Sequence, residues 1–365
     1  MRKHVLLLLS IISMLTLAAC GASQTATTGA GGEQPAASPQ PQAQEPAPAE
    51  ETQEEAKEEA VEGTLSFYTS QPDADAEQLV QAFKEKYPDV EVSIFRSGTE
   101  EVLSKLQAEK MAGSVQADVL LVADSVSFEI LKEQDMLLSY ESKEHANIPA
   151  EYVDADRTYT GTKVIATAMA VNTNMVQQIP DSWQALLSEE AKDQAIMPSP
   201  LYSGAAAYNV GVFSRTEGMG WEFFEGLKAN NMVVTKGNGA VLKAVAGGEK
   251  AYAMVVDFLV ARAEQDGSPV KLVYPNEGVP AITEPVGILK DAKNVPAAKA
   301  FVDFILSEEG QKMQAGLGYT PIRPGVEAPA GLKSIDEMKV ISYDIAELFQ
   351  SREQDKEKFV SIFGE

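Results

Sequence analysis

Hydrophobic and polar positions alternate after residue 62 in a way that predicts strands and helices in turn. LSFY (residues 65–68) is a short apolar run typical of a strand, and AEQLVQAFKEKYP has the spacing of an amphipathic helix. VEVSIF predicts a second strand, TEEVLSKLQAEKM a second helix with Thr99 as its N-cap, and ADVLLVA a fully buried strand. Strands that alternate with helices predict an α/β protein whose mostly parallel sheet is covered on both faces.

The same alternation resumes after TKVIATAMAVNTN, which predicts a long strand that crosses between two lobes. A helix from about Gly204, the strand MVVT, the helix GAVLKAVAGG and the strand YAMVVD follow. PAITEPVGILK predicts the returning strand, and PAAKAFVDFILSEEGQKMQAGLG predicts helices that pack on the first lobe. We therefore predict a cleft between two lobes, with residues 63–166 and 284–365 in lobe 1 and residues 167–283 in lobe 2.

Residues 1–20 have the layout of a secretory signal. Arg2 and Lys3 precede an apolar run, residues 5–17, that is too short to cross a bilayer comfortably, because a crossing takes about 20 residues. The tetrapeptide LAAC, which ends at Cys20, resembles the lipobox of bacterial lipoproteins, in which the cysteine is acylated and becomes the mature N-terminus. Cys20 is the one cysteine of the chain, so it has no disulfide partner. An ordinary secretory signal that happens to contain a cysteine is the alternative.

Residues 21–62 consist mainly of Ala, Gly, Pro, Gln, Thr and Glu, with almost no large apolar side chains, and they predict a disordered acidic tether. The chain has a formal net charge of -24 at pH 7, part of which lies in EETQEEAKEEAVE. Because binding to a phosphate backbone needs clustered Lys and Arg, the acidic balance and the lack of a basic stripe argue against nucleic acid as a partner.

Three turns at strand-to-helix junctions have the chemistry of an anion site. They are Ser97-Gly98-Thr99, Ser203-Gly204-Ala205 and Gly237-Asn238-Gly239. Each offers free backbone N–H groups, small side chains that let a ligand approach, and a hydroxyl or amide. Ligands of open α/β sheets bind beyond the carboxyl ends of the strands, where helix N-termini point. Ser, Thr, Asn and Gly are also preferred helix caps, so a purely structural role stays open for each turn.

The histidine inventory excludes several catalytic schemes. His4 lies in the signal and leaves His145 as the one histidine of the mature chain, which removes Ser/His/Asp and Cys/His nucleophiles and a multi-histidine zinc site. GNGAVLK lacks the spacing and the ending of a P-loop. A carboxylate pair for glycoside hydrolysis is the remaining enzymatic alternative, although no sugar-stacking aromatic cleft is evident. We predict no catalysis, no cofactor and no metal site.

Several motifs and their order along the chain resemble those of the extracytoplasmic solute-binding proteins of ABC importers, in the group that includes the ferric-iron-binding proteins. The segments that carry it are LSFYTSQ, FRSGTEEVLSKLQAE, ADVLLVAD, SPLYSGAAAYN, NGAVLKAVAGGE and TEPVGILKDAKNVPAAKAFVDFILSEEGQ. The resemblance implies a two-lobed, periplasmic-binding-protein-like fold of type II, with two crossover strands about which the lobes close on a small anionic solute. It also implies a monomer that serves an ABC permease and its ATPase. A lipid anchor would hold it at the cell surface or in the periplasm. An adhesion or sensor module that kept the fold is the alternative.

The chain departs from the iron-binding members of this group at their metal ligands. The two adjacent tyrosines of those members fall at about Phe258 and Leu259 here, and Pro72 stands where a histidine often follows the first strand. None of these three side chains can ligate a metal. The departure points to the relatives that bind phosphorylated or phosphonate compounds, such as 2-aminoethylphosphonate or a hexose phosphate. Ferric iron held with a synergistic anion through substitute ligands is the alternative.

Polar residues at strand ends complete the predicted site. Ser70 and Gln71 follow the first strand and are expected to face the cleft. Asp257 ends YAMVVD, and we expect its carboxylate to meet an ammonium or hydroxyls of the ligand, with a cap of the following helix as the alternative. Asp124 is expected to cap a helix. Further candidates are Tyr68, Arg96 and Glu284. The predicted ligand residues are Ser70, Gln71, Ser97, Gly98, Thr99, Ser203, Gly204, Ala205, Asn238 and Asp257.

Overall fold

The computed structural model describes residues 60–364. The predictions for the signal, for Cys20 and for most of the tether lie outside the described residues. The strands are β1 (Gly63–Thr69), β2 (Val90–Arg96), β3 (Val119–Leu121), β4 (Leu137–Leu138), β5 (Thr160–Asn172), β6 (Ala195–Pro198), β7 (Val233–Thr235), β8 (Tyr252–Val256), β9 (Val270–Val273), β10 (Val279–Leu289), β11 (Thr320–Pro321) and β12 (Val340–Ile341).

Helices follow the strands in the alternating order that the sequence predicts. They are α1 (Asp73–Lys86), α2 (Thr99–Met111), α3 (Ser125–Glu133), α4 (Gly204–Phe213), α5 (Gly220–Ala229), α6 (Asn238–Ala246), α7 (Asp257–Gln265), α8 (Val295–Leu306), α9 (Glu308–Gly316) and α10 (Ile345–Phe363). Between residues 60 and 364, no helix combines the length and the hydrophobicity that a membrane crossing requires.

The strands form a mixed sheet with two parallel halves. Its order is β2-β1-β3-β10-β5-β8-β6-β7. β1 pairs in parallel with β2 and β3 in one half, and β6 pairs in parallel with β7 and β8 in the other. At the centre β10 and β5 pair antiparallel, because one strand leaves the first lobe and the other returns to it. The two-lobed α/β fold predicted from the sequence is thereby confirmed.

Strand β5 belongs to both halves of the sheet. All of its residues are buried, and most are β-branched or small residues that suit a strand packed on both faces. β5 pairs with β10 through Ala166 and with β8 from Thr167 onward. This change of partner falls where the lobe limit is expected from the sequence, and the exact limits of the lobes stay a prediction.

The C-terminal helix α10 packs against α3, α4 and α5. Its buried Arg352 places Nη2 2.6 Å from Glu100 Oε1 and 3.1 Å from Asp124 Oδ2. About one turn further along α10, the Asp355 Oδ2 atom lies 2.7 Å from Nη1 of Arg215, just after α4. Asp124 also caps α3, as expected, by accepting a hydrogen bond from Ser127 N at 2.9 Å. Helix α10 therefore joins elements of both halves through ion pairs.

Loss of the Arg352 guanidinium would leave the buried Asp124 carboxylate without a cation. Breaking a buried ion pair by removing one partner destabilises proteins by about 3–5 kcal/mol. We therefore expect Arg352→Met to lower the free energy of unfolding by about that amount, measured by urea denaturation. Lys358→Met, on an exposed position of α10, is the control and should stay within about 0.5 kcal/mol of wild type. Equal stability of the two variants would refute the structural role of Arg352.

Candidate functional site

The N-termini of α2, α4 and α6, which carry the three predicted turns, meet at one cavity of about 420 Å³, and residues in the first turns of α1 and α7 line it as well. Helix α2 follows its N-cap Gly98, α4 follows Ser203, and α6 follows Gly237. The Ser203 hydroxyl caps α4 by accepting a hydrogen bond from Ala206 N at 3.3 Å. Thr99 was expected to be an N-cap, but it is the first helical residue of α2, because the backbone of Gly98 takes the extended cap conformation. Free N–H groups and the helix dipoles give this end of the cavity an affinity for anions.

Two glycines allow the starts of α2 and α4 to touch. A Cβ atom on Gly98 would lie 2.5 Å from the Tyr202 carbonyl oxygen, and a Cβ atom on Gly204 would lie 2.9 Å from Thr99 Oγ1. The same contact includes a hydrogen bond of 3.3 Å from Glu100 N to Tyr202 O. Larger residues at these two positions would hold the helix ends apart.

Two cations stand beside the helix N-termini. Arg96 donates from Nε to the Gln71 carbonyl oxygen at 2.7 Å, which fixes its guanidinium on the cavity wall. Lys236 Nζ lies 2.9 Å from Glu101 Oε1 and 4.6 Å from the centre of the Tyr202 ring. The hydrogen bond with Glu101 raises the pKa of Lys236 above its ordinary value. Both side chains add positive charge to the end of the cavity where the helices begin.

The wall of the cavity also contains a buried ion pair and aromatic rings. Glu284 lines the cavity, and its Oε2 atom lies 2.5 Å from Nζ of Lys163 on β5. Burial lowers the pKa of Lys163, although the carboxylate beside it acts in the opposite direction. The rings of Phe258 and Tyr319 also line the cavity, with their centres 4.4 Å apart. The expectation that the cleft lacks aromatic rings for a sugar therefore does not hold.

Seven of the ten predicted ligand residues line this cavity, namely Ser70, Gln71, Gly98, Thr99, Ser203, Ala205 and Asn238. Arg96 and Glu284 line it as well, whereas Tyr68 does not and donates instead to Glu109 Oε1 at 2.7 Å. Ser97 and Gly204 are not on the cavity wall: the Ser97 hydroxyl bonds to Glu101, and Gly204 contacts Thr99. The positions of Ser97 and Gly204 therefore do not support the predicted contacts of these two residues with a ligand.

Sequence reasoning missed Lys236 and Tyr319 as residues of the cavity wall. Lys236 directly precedes the Gly237-Asn238-Gly239 turn, and this position next to a predicted part of the site was a usable signal. Tyr319 had no such signal. It reaches the cavity because the short strand β11, which begins at the next residue, pairs with β5.

Asp257, the first residue of α7, is buried and lies off the cavity wall. Its Oδ1 atom accepts hydrogen bonds from Phe258 N at 2.8 Å and from Ala166 N at 3.2 Å, and its Oδ2 atom accepts one from the Tyr274 hydroxyl at 3.0 Å. Burial raises the pKa of Asp257 to about 7, against the effect of these donors. The predicted ligand contact of Asp257 has no support from this arrangement. The carboxyl group instead ties the start of α7 to the crossing strand β5.

The sequence of the chain matches that of a known protein family. The sequence profile described as "Bacterial extracellular solute-binding protein" matches residues 78–340, which is more than half of the chain. The chain belongs to this family. Like the other solute-binding proteins, it is a binding protein of the extracytoplasmic space rather than an enzyme, and it serves an ABC importer.

Individual relatives agree with the family assignment. A probable ABC transporter periplasmic-binding protein of Sinorhizobium fredii is 22% identical, over 64% of this chain and 68% of the relative. The periplasmic binding protein AfuA of Actinobacillus pleuropneumoniae, solved with fructose-6-phosphate, superposes with a TM-score of 0.76 at 26% identity, covering 82% of this chain and 98% of AfuA. Iron-bound HitA of Pseudomonas aeruginosa shares the fold with a TM-score of 0.72 at 24% identity, covering 81% of this chain and 99% of HitA.

The raised pKa of Asp257 predicts a pH dependence of stability for this solute-binding protein. Between about pH 4 and pH 7 the folded protein retains a proton at Asp257 that the unfolded chain releases. The free energy of unfolding therefore falls as the pH rises through that window, by up to about 4 kcal/mol from this group. In Asp257→Asn a neutral amide replaces the protonated acid, so we expect this part of the decline to disappear.

Urea denaturation at several pH values from 4.5 to 7.5, about one pH unit apart, checks this prediction. It gives the slope of the free energy of unfolding against pH. The stability of Asp257→Asn relative to wild type should improve steadily with pH. Asp291→Asn, at an exposed position, is the control and should run parallel to wild type. Parallel curves for Asp257→Asn and wild type would contradict the assignment of a retained proton to Asp257.

Proposed function

We propose that this solute-binding protein captures a small phosphorylated or phosphonate organic anion and delivers it to the permease of its ABC importer. The observation that carries this proposal is the convergence of the N-termini of α2, α4 and α6 with Arg96 and Lys236 at one end of a single cavity. Helix N-termini and cations together are the usual recognition elements for a phosphoryl group.

The size of the cavity favours an organic anion over a bare inorganic one. Its volume of about 420 Å³ falls within the range of roughly 300–1,000 Å³ that is typical of sites for small organic ligands. A phosphoryl group at the helix N-termini leaves the wall of Gln71, Glu284 and Tyr319 to contact the remainder of the ligand. AfuA, whose structure contains fructose-6-phosphate, supports a sugar phosphate as one member of this class.

Ferric iron is the alternative cargo, because HitA binds iron in the same fold. Tyr202 and Tyr319 line the cavity and offer phenolic oxygens that a ferric ion could use together with a synergistic anion. One observation favours the phosphoryl compound: Phe258 and Leu259 line the cavity without any ligating atom.

A thermal-shift panel on ligand-stripped protein tests the proposal. The compounds are fructose 6-phosphate, 2-aminoethylphosphonate, inorganic phosphate and ferric citrate. A ligand at 100 times its Kd stabilises the folded state by about 2.7 kcal/mol, which gives a clear shift in Tm. We expect a shift with an organophosphorus compound, and we expect Arg96→Gln and Lys236→Gln to weaken it while Lys358→Gln leaves it unchanged. A shift with ferric citrate alone would overturn the proposal in favour of iron.

We also propose that the protein acts as a monomer and is held at the membrane by a lipid on Cys20. The support is the sequence LAAC at the end of the signal, together with the extracytoplasmic location of the family. Metabolic labelling with a fatty-acid analogue should tag the wild-type chain but not Cys20→Ala. Equal labelling of the two would end the lipid-anchor proposal without affecting the ligand proposal.

A further inference from the structure

Gln71 is a buried amide whose polar atoms have no partner within residues 60–364. The residue is 1% exposed, it lines the cavity, and neither Oε1 nor Nε2 makes a hydrogen bond there. Buried polar groups are nearly always hydrogen-bonded, because an unpartnered one lowers stability by about 1–3 kcal/mol. An amide held in this way on a cavity wall indicates a ligand that completes its hydrogen bonds.

The position of Gln71 is fixed by its backbone. Gln71 N donates to the Thr69 hydroxyl at 3.1 Å, and the Gln71 carbonyl oxygen accepts from Arg96 Nε at 2.7 Å. The residue therefore lies beside Arg96, the cation of the proposed phosphoryl site, on the wall of the same cavity. A ligand whose phosphoryl group meets Arg96 would bring its adjoining part to the Gln71 side chain.

The buried carboxylates at and near this wall are already neutralised. Glu284, which lines the cavity, is paired with Lys163. Asp75 does not line the cavity, but it bonds to the Tyr319 hydroxyl of the wall and is paired with Arg262 Nη2 at 2.9 Å. The other carboxylate that lines the cavity, Asp73, is largely exposed and lies 4.0 Å from Arg96.

A wall of this kind suits hydroxyl groups better than an ammonium group. An ammonium only donates hydrogen bonds and needs negative charge, whereas the buried carboxylates here are neutralised. A hydroxyl both donates and accepts, and the Gln71 amide offers an acceptor at Oε1 and donors at Nε2. The neighbouring rings of Phe258 and Tyr319 give the C–H faces of a sugar an apolar surface.

We propose that the cargo is a polyhydroxylated organic phosphate, rather than an amino-phosphonate, and that Gln71 is the residue that selects for its hydroxyls. This inference rests on the proposed function and specifies the class of compound within it. The helix N-termini then bind the phosphoryl group, and the Gln71 amide forms hydrogen bonds with the hydroxylated part of the cargo.

Calorimetric titration of the full chain with fructose 6-phosphate, 2-aminoethylphosphonate and inorganic phosphate tests the inference. Wild type should bind fructose 6-phosphate more tightly than 2-aminoethylphosphonate. Gln71→Leu removes both polar atoms at similar size, and we expect it to weaken fructose 6-phosphate binding by about 10- to 100-fold. Binding of inorganic phosphate should be unchanged, because the amide is proposed to contact the hydroxyls of the ligand and not its phosphoryl group. Urea denaturation should show no loss of stability, because the substitution removes an unpartnered buried amide.

The possible outcomes separate the inference from the proposed function. Tighter binding of 2-aminoethylphosphonate would overturn the inference and leave the proposed function standing. Binding of ferric citrate alone would overturn both. Unchanged fructose 6-phosphate affinity in Gln71→Leu would remove Gln71 from the recognition of hydroxyls. If Gln71→Leu fails to fold, Gln71→Asn serves instead, since it keeps the amide but withdraws it by one methylene and should weaken fructose 6-phosphate in the same selective way.

Discussion

The backbone pairing of β5 is the constraint on which the rest of the structure depends. This fully buried strand forms antiparallel ladders with β10 and β11 in its first part and with β8 and β9 in its second. Each half of the sheet is thereby fixed in register to the same strand. Asp257 adds a side-chain bond to β5 at Ala166, where the pairing changes from one half to the other. The strand ends that carry the cavity residues are positioned by this one element.

The two ends of the cavity differ in what they require of the sequence. The anion end consists of backbone N–H groups at helix starts, so it mainly needs small residues such as Gly98 and Ser203 and tolerates variation elsewhere. The remainder of the wall is built from side chains, including Gln71 and the Glu284–Lys163 pair. Under the proposed function, the backbone groups bind the phosphoryl group and these side chains select the rest of the cargo.

Local signals predicted the fold and the helix starts that meet at the cavity, because helix caps and strand periodicity are encoded by neighbouring residues. The starts of α4 at Gly204 and α6 at Asn238 illustrate this. The role of Asp257 was not predictable in the same way, since its partners Ala166 and Tyr274 come from other parts of the chain. The position of Tyr319 was not predictable for the same reason, because it depends on the pairing between β11 and β5.

The ion pairs of α10 also limit the order in which parts of the structure can form. Asp124 has an unfavourable backbone φ of 66° and a fully buried carboxylate, and its cation belongs to the final nineteen-residue helix. A chain is synthesised from its N-terminus, so Arg352 becomes available only after almost every other residue. The starts of α2 and α3, whose Glu100 and Asp124 bind Arg352, therefore reach their final arrangement only once α10 has packed against them.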